Sequence, residues 1–392
     1  MPYSDPWLLP LTERMQRASR GKHRVAYLYE TLDSGTFRYR VYNMIQALEA
    51  RPEISATYFL SDEIDGLSRV LEHIDTLVLG RYRYTPALNR LITRARSYGK
   101  TILFDIDDIV YDVDYVQLVA ATLDQELEQA APGVLDHWFA HFSRLGAALK
   151  LCDAAITTND YLARRIHEYT RRPVMVIPNF MNREQLALSQ QIYEQKCQSG
   201  FARDGRIHIG YFSGTPTHNR DLELAADAIA HLLHQDPRVV LRVVGFMELK
   251  GPLRELGARI ERFEFQDFVN LQRLVGEVEL NLMPLQDNEF TNCKSELKYF
   301  EAGIVGTVSI ASPVFTYRHG ITDGVTGFLA MAHQWEDKLA AALRQLGDYR
   351  AMAEKAHADC EQRYTYYHYT DLIAQTLFSS RLTCTGQAAS LL

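Results

Sequence analysis

"RIHIGYF", residues 206–212, decides the fold, because a completed pattern starts again there. Upstream, strand-like runs each end in a polar turn: "HRVAYLYE" (23–30), "ATYFL" (56–60), "DTLVLG" (75–80), "KTILFDI" (100–106), "DAAITTN" (153–159) and "VMVIPN" (174–179). Helical patterns such as "ALNRLITRARSYGK" and "NDYLARRIHEYT" fall between them. Strands alternating with helices of this length predict parallel βαβ units. Runs apolar on both faces predict a sheet covered by helices on each side. Downstream of 206–212, "VVLRVVGF" (239–246), "RFEFQDF" (262–268), "VELNLMPL" (278–285), "TVSIAS" (307–312) and "TGFLA" (326–330) repeat the scheme. Two α/β series of similar size predict two doubly wound, Rossmann-like domains facing each other across a cleft. The expected bounds are a first domain over 1–181, a polar linker, helical or loose, over 182–204, and a second domain over 205–362. A closing segment, 363–392, carries an aromatic-faced helix, "YTYYHYTDLIAQTLF" (364–378), and a frayed tail.

A chain of 392 residues is long enough to bury two cores. Hydrophobic residues at 47% and charged residues at 23% fit an ordinary soluble globular protein. The net charge of −7 argues against a nucleic-acid binder. Lys and Arg outnumber Asp and Glu over the first hundred residues, while 101–150 is acid-rich. Cys152, Cys197, Cys293, Cys360 and Cys384 are widely spaced and form no C-x-x-C pair, so neither a disulfide framework nor a structural zinc is indicated. A reducing cytoplasm fits that usage. The opening "MPYSDPWLLPLTERMQRASRGKHR" has too short an apolar patch for a signal peptide, and its charge lies on the wrong side. No window approaches the ~20 apolar residues of a membrane span.

Three stretches carry candidate chemistry. In "LFDIDDIVYD" (103–112), a D-x-D closes an apolar strand. It fits a phosphatase nucleophile of the haloacid-dehalogenase type, a divalent-cation site for a nucleotide diphosphate, or acids facing a cleft from a strand's carboxyl end. The phosphatase motif continues with Gly-Thr where this chain has Asp108 and Ile109, and the α/β pattern excludes the acidic runs of all-helical terpene synthases. The plainer alternative makes these acids caps of the next helix. The reading carried forward is an acceptor site lined by Asp105, Asp107 and Asp108, with no metal. In "GYFSGTPTHNRDLELAADAI" (210–229), a strand enters Ser213-Gly214-Thr215-Pro216 and then a helix from about Asn219. Hydroxyls and free N–H groups there make an anion site, and His218 and Arg220 add positive charge. An ordinary capped turn would look similar.

The third stretch is "NEFTNCKSELKYFEAG" (288–303), which follows a strand and its Pro284 turn. On a helix beginning near Ser295, Lys294 and Lys298 share a face, as do Leu297 and Glu301. Two lysines at a helix start oppose the macrodipole unless an anion sits among them. A diphosphate would remove the conflict, and Glu301, one turn deeper, could accept hydrogen bonds from ribose hydroxyls.

Together these stretches resemble a glycosyltransferase of the two-Rossmann-domain (GT-B) type, similar to the retaining enzymes of family GT4. The segment "KSELKYFEAGIVGTVSIASPVFTYRHGITDGVTGFLA" (294–330) carries the most specific likeness, over about 206–332. Over 23–180, "SGTFRYRVYNMIQAL", "FDIDDIVYD" and "VIPNF" resemble the acceptor domain of bacterial polysaccharide transferases. The resemblance implies transfer of a sugar from a nucleotide diphosphate sugar to a glycan or lipid-linked glycan hydroxyl, with retention. It also implies no cofactor, no obligatory metal, and a cytoplasmic enzyme working at the inner face of a membrane.

The family's usual Arg and Lys of the phosphate site, after the first strand of the second domain, are absent as such, and "SGTPTHNRD" (213–221) stands in their place. Ser213, Gly214, Thr215, Lys294 and Lys298 are therefore expected to stabilise the leaving diphosphate instead. Glu301 holds the ribose, and Asp107 or Asp108 orients the acceptor hydroxyl. In "DSGTFRYR" (33–40), Gly35 approaches the donor diphosphate, with Arg38 and Arg40 beyond it; a solvated helix face is the plainer reading of these arginines. "GRYRYTP" (80–86) offers Arg81 and Tyr82 as an acceptor platform, or an ordinary amphipathic turn. His137, His141 and His208 receive no role. The family's pattern of Glu, seven residues, Glu is met by Glu301, but its first position falls on Cys293, which leaves Glu296 or backbone groups to contact the sugar. Two other functions fit the residues: a metal-dependent phosphatase or phosphotransferase centred on Asp105 and Asp107, and a non-catalytic binder of sugar nucleotides or glycans.

Overall fold

The computed structural model describes residues 5–33, 35–127, 130–201, 204–214, 219–246 and 249–378. Two compact units make up the chain. The first holds residues 5–106, 144–177 and 369–378. Its parallel strands β1 (His23–Tyr29), β2 (Ile54–Leu60), β3 (Thr76–Gly80), β4 (Thr101–Asp105), β5 (Ala154–Thr157) and β6 (Val174–Val176) stand in the order β2-β1-β3-β4-β5-β6. β3 and β5 are buried along their whole length, as the two-faced apolar pattern predicts for a sheet under helices. The helix Thr370–Phe378 returns to this unit: Thr370 donates to the Ala47 carbonyl at 3.0 Å, and Thr76 donates to the Leu377 carbonyl at 2.6 Å.

The second unit holds residues 107–143 and 178–368. Its strands β7 (Ile207–Ser213), β8 (Val239–Gly245), β9 (Ile260–Phe263), β10 (Leu280–Met283), β11 (Val308–Ala311) and β12 (Gly327–Leu329) pair in parallel in the order β12-β11-β10-β7-β8-β9. Ile209, Tyr211, Leu241, Val243, Leu282 and Ile310 fill the core with Leu222, Ile229 and Trp335 from the covering helices. The chain reverses its building direction between β7 and β10, the place where open α/β sheets bind ligands at strand carboxyl ends.

Two expectations about extent give way, and the expected linker takes a definite form. The strand expected over 262–268 is Ile260–Phe263, because Asp267 instead caps the helix Phe268–Gly276, accepting from the Val269 and Asn270 N–H groups at 2.9 Å. The expected linker contains the helix Arg183–Gln198, capped by Asn182 and anchored where Lys196 Nζ donates to the Gly306 carbonyl at 3.0 Å and to Thr307 Oγ1 at 2.8 Å. Residues 107–143, expected inside a 1–181 domain, group with the second sheet. Asp124 pairs with Arg220 at 3.2 Å, and Thr122 accepts from Gln286 Nε2 at 3.3 Å and from Asn288 Nδ2 at 3.0 Å.

Candidate active site

In the second unit, Lys294, Lys298, Asp108, Asp221 and Glu301 gather near the carboxyl ends of β7 and β10. Lys294 follows the short helix Glu289–Asn292, and its Nζ sits 3.3 Å from Asp108 Oδ1 and 4.1 Å from the centre of the Phe290 ring. The next helix spans only Leu297–Gly303, so Lys294 precedes it and the two lysines do not share a helix face. The helix dipole therefore bears on Lys298 alone. Lys298 is half-buried, and its ammonium makes no hydrogen bond or ion pair with any described residue. The Tyr211 ring centre lies 5.6 Å away. Burial pulls its pKa below that of an ordinary lysine, and the neighbouring Lys294 charge adds to the fall against the attraction of Asp221 and Glu301.

The frame around Lys298 is fixed. Asn281 on β10 donates to the Lys298 carbonyl and to Ser309 Oγ, both at 3.2 Å. Asp221, in the first turn of the helix Asn219–Gln235, accepts from the backbone and side-chain nitrogens of Gln286 at 3.1 and 3.2 Å. Glu301 is buried; Gln185 Nε2 lies 3.4 Å from its Oε1, and Gln272 donates to its carbonyl at 2.7 Å. Tyr211 and Asp221 are members of this site that sequence reading passed over. Their signals were an aromatic inside a strand and an acid in a helix's first turn, both common features of ordinary folds.

Glu296, offered as a substitute for the missing first Glu, points inward. Its Oε2 is buried without a hydrogen bond, and burial raises its pKa, only partly offset by Arg363, Tyr364 and His319. Cys293 is fully buried. Ser213 is buried at the end of β7, and Gly214 follows it into the open. The turn is tight because Gly245, opposite Ser213 in register, has φ +94°, and a Cβ there would lie 1.9 Å from the Ser213 carbonyl oxygen. Thr215 and His218 lie outside the described residues. Arg220, expected to add charge to a bound anion, has its guanidinium 3.2 Å from Asp124 and 3.8 Å from Glu126, and donates to the Ala121 carbonyl at 3.0 Å.

In the first unit, the expected acceptor residues separate into two groups. Arg40 and Asp105 have side chains 1% exposed and face each other: Arg40 Nε and Nη2 donate to the two carboxylate oxygens at 2.8 and 3.0 Å, and Nη1 donates to the Ile177 carbonyl at 2.7 Å. This is the geometry of an internal brace. Arg38 is also buried, its guanidinium 4.3 Å from the Tyr39 ring centre. Gly35 sits on an exposed turn held by Asp33 Oδ1, which accepts from the Gly35 and Phe37 N–H groups at 2.8 and 3.1 Å. Arg81 adopts φ +43°, donates through its backbone to the Asp105 carbonyl at 2.8 Å and through Nη1 to Thr36 at 3.2 Å. Tyr82 is buried, and that burial raises its phenol pKa. Asp107 and Asp108 are half-buried. Among the described residues, no cluster of three or more His, Cys, Asp or Glu is arranged to hold a metal, and no helix is long and apolar enough to cross a membrane.

Residues 206–348 match the family model described as "Glycosyl transferases group 1". Over that segment the chain is similar to that family. The glycosyltransferase fold extends over both units. Anabaena HepE, solved with UDP and glucose, is similar at a TM-score of 0.60 and 14% identity, covering 91% of this chain and 99% of its own. Sucrose-phosphate synthase from Thermosynechococcus elongatus follows at 0.57 and 15%, covering 90% and 98%. WaaG, a glycosyltransferase involved in lipopolysaccharide biosynthesis, matches at 0.57 and 14%, covering 90% and 99%. No curated protein matches the sequence. The two parallel six-stranded sheets match the two Rossmann-like domains of the GT-B fold.

Proposed function

We propose that the protein moves a sugar from a nucleotide diphosphate sugar to a hydroxyl of a glycan or lipid-linked glycan, with retention of configuration and without an obligatory metal. One observation carries the donor assignment: the half-buried Lys298 ammonium, which has no hydrogen-bonding partner among the described residues and a depressed pKa. A charge kept from water without a partner costs stability, so its presence calls for an anion that arrives later. A donor diphosphate between Lys298, Lys294 and the Ser213–Gly214 turn meets that need. Glu301 supports the ribose.

As the bond from the sugar's anomeric carbon to the diphosphate oxygen breaks, negative charge grows on the leaving group, and the two ammonium groups stabilise it. The acceptor oxygen bonds to the same carbon, and its proton passes to the leaving phosphate oxygen. Asp108, already beside Lys294, orients the acceptor hydroxyl, with Asp107 next to it. Gly35, Arg38, Arg81 and Tyr82 keep the donor and acceptor roles that the resemblance implies. Arg40 and Asp105 are reassigned to bracing their own unit, a role that also speaks against Asp105 as a phosphatase nucleophile. The acceptor and any contact with a membrane surface follow the likeness to polysaccharide transferases.

A thermal-shift panel of UDP, GDP and dTDP tests the donor reading. At least one should raise the melting temperature of the wild type by mass action, and the rise should vanish in Lys298→Ala. No shift with any of the three, at concentrations up to millimolar, would count against it.

A further inference from the structure

Toward the amino ends of its strands, the second sheet holds a cavity of about 640 Å³ under the helices Arg183–Gln198 and Phe268–Gly276. Ile207, Ile209 and Tyr211 of β7 pack into the core on the opposite face, so strand alternation turns His208 into this cavity. Ser213 lies five positions further along β7, about 16 Å of strand, which keeps the cavity apart from the candidate active site. Leu188, Ile192, Phe201 and Tyr349 give it an apolar wall.

The imidazole of His208 is the odd group. Its side chain is 5% exposed, its Nδ1 is buried, and neither ring nitrogen makes a hydrogen bond with any described residue. Three carboxylates stand just beyond reach. Nδ1 lies 3.8 Å from Glu279 Oε2, and Nε2 lies 3.8 Å from Glu261 Oε1 and 4.0 Å from Asp204 Oδ2. Glu279 is held in place by the His208 backbone N–H, which donates to it at 2.6 Å. Buried polar groups are nearly always satisfied, so an unpartnered imidazole in a cavity wall calls for a partner.

The charges around it say of which kind. Asp204, Glu261, Glu277 and Glu279 all line the cavity. Arg242 directs Nε and Nη2 to Glu261 Oε2 at 3.0 and 2.9 Å and Nη1 to Glu277 at 2.6 Å, which leaves Glu261 Oε1 on the His208 side. Lys196 is turned to Gly306 and Thr307, and Arg273 is exposed, 3.4 Å from Asn270. An anion entering beside His208 would meet three acids. Among the described residues, these acids and His208 are not arranged to hold a metal ion.

We propose that this cavity binds a small organic ammonium ion with an apolar body, a site separate from the donor site and independent of its assignment. With the Nδ1 proton on the Glu279 side, His208 Nε2 presents its lone pair between Asp204 and Glu261 and accepts from the ammonium. The two carboxylates supply the charge, and the bonds formed are charge-assisted. The apolar body lies against Leu188, Ile192 and Phe201. The volume falls within the roughly 300–1,000 Å³ of small-molecule sites.

Isothermal titration of the full chain with benzylamine tests this, with benzyl alcohol and benzoate as its neutral and anionic counterparts. Benzylamine should saturate one site per chain, and the two counterparts should bind at least tenfold more weakly. Asp204→Asn and His208→Leu should each weaken benzylamine about tenfold, the loss of one hydrogen bond to a charged group. Gln195→Trp, on the exposed side of its helix, should block binding with every charge intact. Saturating UDP should leave benzylamine affinity unchanged. The absence of saturable benzylamine binding overturns the site, and so does equal binding of benzyl alcohol. Undiminished binding to all three variants, each shown by its melting to be folded, also overturns it. Binding that emerges only in Arg203→Ala overturns it too, because the chain's own guanidinium would then be the occupant.

Discussion

Charge is kept inside both units, but on different terms. In the first, Arg40 and Asp105 are sealed in and satisfy each other, with the Ile177 carbonyl taking a further guanidinium proton. In the second, Lys298 is half-buried with acids nearby but none of the described acids in contact, and its pKa is held down. A satisfied internal pair is a brace; a cation without a partner is a socket. Both sets of residues attracted attention in the sequence for the same reason, polar groups next to strand ends, and only their partners tell them apart.

The largest effect expected on that contrast is structural. Arg40→Ala strands the Asp105 carboxylate in the interior and should cost about 3–5 kcal/mol in denaturant unfolding. Lys298→Ala should leave stability level or raised, while donor-dependent kcat/KM falls by about 10²- to 10³-fold, the cost of one lost charge stabiliser. If Arg40→Ala melted like the wild type and Lys298→Ala unfolded the protein, the two roles would be reversed.

Next in size is Glu296→Gln. The folded protein holds the Glu296 proton more tightly than the unfolded chain does, because its pKa is raised above 4.5. The resulting stabilisation is complete below pH 4.5 and is lost as pH rises through the raised value. The amide should flatten that part of the pH–stability curve, which unfolding at several pH values would show. Smallest is the Lys294–Asp108 pair, partly open to solvent: Asp108→Asn should change stability by no more than about 1 kcal/mol while lowering turnover. A loss of several kcal/mol there would make the pair a brace like Arg40–Asp105.

The strands were legible because each is a short run apolar on two faces, a pattern that helices do not produce at that length. β9 was misplaced because "FEFQD" continues the apolar alternation, while the cap made by Asp267 is a local hydrogen bond that periodicity does not register. The grouping of 107–143 with the second sheet depends on Asp124, Thr122 and Asp108 meeting residues about a hundred to two hundred positions away, such as Arg220, Gln286 and Lys294. No local signal announces such a meeting. Arg40 and Asp105 hid their role for the same reason. At the candidate site, the oddity of Lys294 and Lys298 was visible in the sequence, but its cause is not a shared helix dipole, because the helix is short and begins after Lys294. What remained was the simpler fact of an ammonium with no ion-pair partner among the described residues.

That fact has a direct readout. Because Lys298 in the free protein gives up its proton below the usual lysine range, a bound diphosphate should draw the proton back. Titration of the preferred nucleoside diphosphate at mildly alkaline pH, in buffers of different ionisation enthalpy, should reveal proton uptake on binding that disappears in Lys298→Met along with most of the affinity. Equal affinity in Lys298→Met, with the same proton count as the wild type, would show that the diphosphate does not bind at Lys298.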